Sequence, residues 1–181
     1  MQQTHKKQFT TEPSGTDATQ PLKIRMADDD PNEHLLTVLA AEEAGIAADF
    51  TFVDDGTDLL VSLGRDLEEG DLPDLILLDL RMPRLDGHKT LNQLQGHPIL
   101  WQIPVVVFST STRREDFEKS FRSGARWVET KPGQFSDMVD FIKSLPARAQ
   151  HGQYDLDTQG PPEKHKTRRS DLDIDVSELE R

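Results

Sequence analysis

The sequence contains no cysteine, and it has few of the residues that build a large apolar core. Without cysteine the chain can form no disulfide, thiol nucleophile or cysteine metal site, and this fits a reducing compartment. Only 34% of the 181 residues are apolar, which is low for a chain packed from end to end. The composition therefore predicts one ordinary domain with flanking tails.

Long apolar runs are also missing. No stretch approaches the length of a membrane-spanning helix, and residues 1–10 lack the apolar core of a signal peptide. We therefore predict a cytoplasmic protein that makes no use of a membrane.

Lys and Arg are scarce in the central segment of the chain, where strand and helix patterns alternate. The net charge is -12, and residues 22–145 carry 13 Lys and Arg against 23 Asp and Glu. A domain with this balance repels polyphosphate backbones, so the sequence argues against a nucleic-acid partner.

Between residues 22 and 145, short apolar runs alternate with helical patterns. The predicted strands are 22–27, 50–53, 75–80, 104–108 and 127–130, each followed by a helical segment. Five such strand-helix units predict an α/β domain with a doubly wound, five-stranded parallel sheet and helices on both faces. Residues 1–21 have little to bury and are predicted to be a disordered extension, and residues 146–181 a flexible tail.

The first helix has a clear start signal. Asp30 is the expected N-cap, Pro31 takes the first helical position, and Glu33 completes a capping box. Gly45 is the expected C-terminal stop. Apolar residues recur at helical spacing in between: Leu35, Val38 and Leu39.

Charged residues follow three of the predicted strands. Asp28-Asp29-Asp30 follows the first, Asp79 lies at the end of the third, and Lys131 follows the fifth. Since the carboxyl ends of parallel strands share one edge of a sheet, these side chains would meet in a single pocket. Alone, the triplet is more typical of helix capping, and the lysine of a loop. An aspartate within Leu-Leu-Asp-Leu is harder to explain by a structural role, because burying an unpaired carboxylate is costly.

Four motifs give the chain its strongest likeness. It resembles the receiver domain of bacterial two-component response regulators in Ala27-Asp28-Asp29-Asp30-Pro31, Leu78-Asp79-Leu80-Arg81-Met82-Pro83 with Asp86-Gly87, Phe108-Ser109-Thr110 and Lys131-Pro132. This likeness covers residues 22–145 and implies a flavodoxin-like receiver fold with strand order 2-1-3-4-5. Within the family, the sequence around these motifs is most similar to that of single-domain regulators paired with bacterial phytochrome histidine kinases.

The resemblance implies a phosphorylation site with a bound metal. Asp79 would be the nucleophile that accepts the phosphoryl group. Asp29, Asp79 and the main-chain carbonyl of Arg81 would bind Mg²⁺ directly, with Asp28 acting mainly through water. The chemistry agrees, because a carboxylate accepts a phosphoryl group poorly unless the charge on the transferring oxygens is neutralised.

The resemblance also implies which residues contact the phosphoryl group. Lys131 would pair with it, the Ser109 hydroxyl would hydrogen-bond it, and the small Thr110 would leave access to the acceptor. The sequence departs from the family at Val128, where receivers often carry an aromatic switch residue, and the aromatic side chain is on Trp127 instead. Neighbouring residues of a strand point to opposite faces, so Trp127 cannot simply replace it.

The expected function is that of a stand-alone response regulator. A sensor histidine kinase, in this subfamily a bacterial phytochrome, would supply the phosphoryl group, and the signal would pass on through protein contacts. No enzyme activity is expected beyond the chain's own phosphoryl transfer and autodephosphorylation. A homodimer is expected through the region of Trp127, Phe135 and Phe141. The alternative is a receiver-like interaction module that works without phosphorylation.

Overall fold

A computed structural model of the protein describes residues 20–150 and the backbone of residues 7–10 and 151–152. Residues 1–6, 11–19 and 153–181 lie outside the described part, and with them most of the predicted N-terminal extension and C-terminal tail.

The described chain forms one six-stranded sheet with five α-helices. The strands are β1 (Lys7–Thr10), β2 (Leu22–Ala27), β3 (Ala48–Val53), β4 (Leu75–Leu78), β5 (Val105–Ser109) and β6 (Trp127–Thr130). The α-helices are α1 (Pro31–Ala44), α2 (Gly56–Glu69), α3 (Gly87–Gly96), α4 (Arg114–Arg122) and α5 (Phe135–Gly152), and a 3₁₀ helix spans Leu100–Gln102. None of these helices has both the length and the apolar character needed to cross a bilayer.

The sheet has the predicted strand order. Five strands run parallel in the order β3-β2-β4-β5-β6, which is the order 2-1-3-4-5 when β1 is left out of the count. Its central strand is the continuous apolar run Leu75–Leu78, whose four residues are all fully buried. Burial on both faces is what that run predicts for a parallel strand.

Strand β1 is an addition to this sheet. It runs antiparallel to β3, with Lys7 opposite Phe52 and Thr10 opposite Asp49. The low apolar content of residues 1–21 predicts disorder, but pairing with a sheet edge uses main-chain N–H and C=O groups and needs little burial. The N-terminal segment thus contributes a strand that covers the β3 edge.

Apolar side chains fill both faces of the sheet. One core joins the sheet to α1 and α5 and includes Ile24, Met26, Phe50, Phe52, Leu77, Phe108, Ile142 and Leu145. The other joins it to α2 and α3 and includes Leu59, Leu60, Leu63, Ile76, Leu78, Leu91, Leu94 and Val107. The carboxyl ends of the strands, where the two cores stop, are left for polar residues.

Helix α1 begins and ends where the sequence predicts. The Asp30 side chain accepts a hydrogen bond from the Asn32 N–H at 2.9 Å, and Gly45 ends the helix in the left-handed conformation with φ 66°. The predicted capping box is not closed, because the Asp30 N–H donates to Asp28 Oδ1 at 3.1 Å instead of to Glu33.

Of the apolar stripe predicted for α1, only Val38 packs against the core. Leu35 and Leu39 are 58% and 42% exposed. The residues that face the core are smaller or polar: His34, Thr37, Ala40 and Ala41. Both sets have helical spacing, so periodicity does not distinguish them. The small side chains of Ala40 and Ala41 let the helix lie close to the sheet, which leaves the leucines on the surface.

Helix α5 continues beyond Leu145, where the sequence analysis ended it. Pro146 lies inside the helix, and Ala149 in the next turn is buried in the core. The Arg148 guanidinium also donates to Glu129 at 2.6 Å. A proline inside a helix costs about 3 kcal/mol, and the packing of the turn that follows offsets this cost.

Candidate functional site

The hydrogen-bond ladder of the sheet brings the predicted acids together. The Asp28 N–H donates to the Val53 carbonyl at 3.0 Å, and the Asp79 N–H donates to the Ala27 carbonyl at 2.9 Å. Asp28 and Asp79 therefore leave adjacent strands at the same edge of the sheet. Their position agrees with the pocket that strand ends predict.

Three carboxylates form a cluster at this edge. Asp28, Asp29 and Asp79 each offer an oxygen, and the three oxygens lie within 4.8 Å of one another. Asp28 and Asp79 are buried, whereas Asp29 is exposed. Asp79 Oδ2 accepts the Arg81 N–H at 3.1 Å, and Asp79 Oδ1 is buried with no hydrogen-bond partner among the described residues. An all-oxygen set with one unsatisfied buried atom fits a hard divalent cation such as Mg²⁺.

Lys131 supplies the positive charge of the site. Its Nζ lies 2.6 Å from Asp28 Oδ2, and both side chains are buried. Burial raises the pKa of Asp28 above its usual value, and the ion pair with Lys131 offsets only part of this effect. Burial works to lower the pKa of Lys131, but the Asp28 carboxylate and the nearby Asp79 outweigh it, so the pKa is raised. Lys131 is thus held as a charged ammonium beside the acids.

A close backbone approach holds the main chain at Asp79. The Gly87 N–H donates to the Leu80 carbonyl at 3.2 Å, and a Cβ on Gly87 would overlap the Asp79 carbonyl oxygen. Only glycine permits this contact at the start of α3. The Asp86-Gly87 turn of the sequence therefore sets the position of the Asp79 main chain.

The loop after Asp79 is also held to α2 by side-chain contacts. Arg84 takes the left-handed conformation with φ 55° and forms ion pairs with Asp55 and Asp58. Asp55 is fully buried and caps α2 by accepting the Thr57 N–H at 2.7 Å. An aspartate directly before a helical pattern is an N-cap signal, and Asp55 occupies that position before α2.

Polar residues stand at the end of β5 and directly after it. Ser109 is buried, and its hydroxyl accepts the Ser111 N–H at 3.5 Å within its own loop. Thr110 is exposed, and its hydroxyl accepts a hydrogen bond from the Arg81 guanidinium. The structure thus places Arg81 and Thr110 together beside the acids. The predicted contacts of Ser109 and of the Arg81 carbonyl remain predictions.

The two residues that depart from the family pattern point to opposite cores. Trp127 packs against the core under α5, and Val128 packs against the core on the α3 side. The Arg148 guanidinium lies 5.7 Å from the Trp127 ring centroid. Trp127 therefore does not occupy the place that an aromatic at Val128 would fill.

Comparison with known proteins gives a consistent result. Residues 24–143 match the family model described as the response regulator receiver domain. The probable methanogenesis regulatory protein FilR2 of Methanothrix harundinacea (strain 6Ac) is 34% identical over 132 residues, covering 71% of this chain and 84% of that protein. Response regulator Rcp1 of Synechocystis sp. (strain ATCC 27184 / PCC 6803 / Kazusa) is 27% identical over 127 residues, covering 69% and 86%.

Solved structures show the same similarity. The phosphorylated cyanobacterial phytochrome response regulator RcpA is 28% identical with a TM-score of 0.65, and the alignment covers 74% of this chain and 97% of RcpA. The Mn²⁺-bound form of Rcp1 is 26% identical with a TM-score of 0.62, covering 78% and 99%.

Proposed function

This chain belongs to the response regulator receiver family, and we propose that it accepts a phosphoryl group from a histidine kinase onto Asp79. The observation that carries the proposal is Asp79 Oδ1, a buried carboxylate oxygen with no hydrogen-bond partner among the described residues. It lies in a cluster of acids that only a cation or a strong donor would satisfy.

The metal site is proposed from the same residues. Asp29, the Asp79 carboxylate and the Arg81 main-chain carbonyl would hold Mg²⁺, and Asp28 would act mainly through water. When bound, Mg²⁺ neutralises charge on the transferring phosphoryl oxygens. The Mn²⁺-bound form of Rcp1 supports the proposal that the chain binds a divalent cation.

The chain's own groups carry the transfer. An Asp79 carboxylate oxygen attacks phosphorus, the bond from phosphorus to the donor histidine breaks, and the imidazole leaves and regains a proton. Lys131, held 2.6 Å from Asp28, would pair with the phosphoryl oxygens as they arrive. The Ser109 hydroxyl would donate a hydrogen bond to them, and Thr110 would leave access to Asp79. Water later hydrolyses the acyl phosphate, and no other enzyme activity is proposed.

The proposal is tested with acetyl phosphate, Mg²⁺ and intact-mass measurement. The wild-type protein should gain the mass of one phosphoryl group, and Asp79→Asn should gain none, because its amide cannot attack phosphorus. Asp54→Asn, which changes an exposed aspartate near the start of α2, should react like the wild type. Absence of labelling with acetyl phosphate and with an autophosphorylated kinase would favour the phosphorylation-independent interaction module.

The proposed partner is a sensor histidine kinase, and the similarity to RcpA and Rcp1 supports a bacterial phytochrome in this role. Three exposed leucines on α1, which begins beside the acids, offer an apolar surface for it: Leu35, Leu36 and Leu39. Kinase phosphorylation draws on cytoplasmic ATP, so a cytoplasmic location is part of the proposal. An autophosphorylated phytochrome kinase that labels another receiver but leaves this chain unlabelled would contradict the phytochrome assignment.

A homodimer is proposed through the surface of α4 and α5. Phe121 is 53% exposed and Phe135 is 44% exposed, whereas Phe141 is buried and stacks on Phe108 at 4.5 Å between ring centroids. Phe121 and Phe135 are therefore the residues available as anchors. Light scattering should report twice the chain mass, and Phe121→Gln with Phe135→Gln should lower it. A monomer at high concentration with and without phosphorylation would contradict the dimer.

A further inference from the structure

A buried histidine contacts the main chain of the acid cluster. His34 lies on the core side of α1 and is only 7% exposed. Its Nε2 lies 2.7 Å from the main-chain oxygen of Asp28, and its ring stacks on Phe52 with 4.4 Å between centroids. His34 is not among the predicted site residues, because a hydrogen bond to a main-chain carbonyl leaves no pattern in the sequence.

The chemistry of the contact fixes its direction. A carbonyl oxygen can only accept a hydrogen bond, so the Nε2 of His34 must carry the hydrogen and donate it. Stacking on Phe52 holds the ring plane and leaves the donor little freedom to turn. The accepting carbonyl belongs to the planar peptide group that joins Asp28 to Asp29. His34 therefore restrains the orientation of that peptide.

The orientation of this peptide has its largest effect on the direction of the Asp29 side chain. The Asp28 carboxylate has its own restraints, because Oδ1 accepts the Asp30 N–H at 3.1 Å and Oδ2 pairs with Lys131 at 2.6 Å. Asp29 is exposed, and its backbone sets the direction in which its carboxylate leaves the chain. A rotation of the 28–29 peptide would carry the Asp29 oxygen away from the cluster.

We propose that His34 is a positioning residue for the metal site, which fixes the 28–29 peptide so that Asp29 is presented to Asp79 before the cation binds. The inference rests on the proposed function, since it concerns Mg²⁺ at the same acids. Residues that orient metal ligands through hydrogen bonds typically change metal affinity about 10- to 100-fold when they are replaced. An ordered site also avoids the loss of freedom that binding would otherwise impose.

Three variants separate positioning from general stability. His34→Phe keeps an aromatic ring on Phe52 and removes the donor. His34→Gln restores a donor, because the amide nitrogen of glutamine lies about as far from the main chain as Nε2 of histidine. Thr37→Val is the matched control one turn further along α1, where a buried hydroxyl contacts Met26 Sδ at 3.6 Å, away from the acids.

The measurement is Mg²⁺ affinity by calorimetry on the folded proteins, with urea unfolding in EDTA as the record of stability. We expect His34→Phe to bind Mg²⁺ about 10- to 100-fold more weakly. His34→Gln should recover much of the loss, and Thr37→Val should bind like the wild type even where it unfolds at lower urea. Equal affinity of His34→Phe and the wild type would overturn the inference, as would an equal loss in Thr37→Val.

The wild-type protein provides a test that does not depend on a variant folding. Bound Mg²⁺ should further restrain the 28–29 peptide, so the His34 Nε2 hydrogen should exchange with solvent more slowly in NMR spectra at saturating Mg²⁺. An exchange rate independent of Mg²⁺ would contradict the role of His34. If the wild type binds no Mg²⁺, the proposed function fails together with this inference, whereas normal binding with no effect of His34→Phe removes the inference alone.

Discussion

Asp29→Asn should cause a severe loss of Mg²⁺ binding and of phosphorylation while leaving the fold intact. Asp29 is the exposed member of a cluster whose oxygens lie within 4.8 Å of one another. Removing a proposed direct ligand should weaken binding beyond the roughly 10- to 100-fold that loss of an outer-shell partner causes. The same change removes one of three clustered negative charges and so relieves repulsion. The free energy of unfolding without metal should therefore stay level or rise.

Asp30→Asn is the matched control for this result. It removes the same charge one residue further on, and asparagine keeps the N-cap that Asp30 gives α1 through the Asn32 N–H. Calorimetry with Mg²⁺ and acetyl-phosphate labelling should both give near wild-type values for Asp30→Asn. Unfolding of Asp29→Asn would show that these acids are structural, and an equal loss in both variants would show that net charge alone governs binding.

The sequence was sufficient to predict a parallel sheet and the meeting of the acids, because alternating strands and helices force a parallel sheet whose carboxyl ends share an edge. The order of the strands was predicted from the resemblance to receiver domains. Asp79 was the clearest residue in this respect, since a lone carboxylate at the end of an apolar run has few structural explanations. The cap of α1 at Asp30 and its end at Gly45 were also predicted, because they depend on local signals.

Other features depend on contacts between distant residues. Lys23 and Arg25 alternate with apolar residues in β2, a pattern typical of a solvent-facing side, yet Arg25 is buried and pairs with buried Asp66 of α2. Strand β1 is formed by main-chain pairing, to which composition is insensitive. His34 was missed because its partner is a carbonyl, and a sequence shows side chains only. In each case the missing information is which element covers which surface.

Lys131→Met should be the most destabilising of the site substitutions in the absence of metal. Its ammonium lies 2.6 Å from Asp28 Oδ2, and the two side chains are 8% and 1% exposed. Removing one partner of a buried ion pair leaves the other charge unpaired, which typically costs about 3–5 kcal/mol. Urea unfolding in EDTA measures this loss. Lys143→Met is the matched control, because its pair with Asp140 is exposed and should contribute only about 0–1 kcal/mol.

The cause of the loss can be checked by removing the charge that remains. Burial raises the pKa of Asp28, and loss of Lys131 removes the main opposing effect. A group with a raised folded-state pKa favours the folded state as pH falls, so Lys131→Met should regain stability as the pH is lowered from neutrality toward the usual aspartate pKa of about 3.9. Lys131→Met with Asp28→Asn should be more stable than Lys131→Met alone at neutral pH. If the double variant is no more stable, the lysine acts through the packing of its carbon chain, and the ion pair is not what holds Asp28 in place.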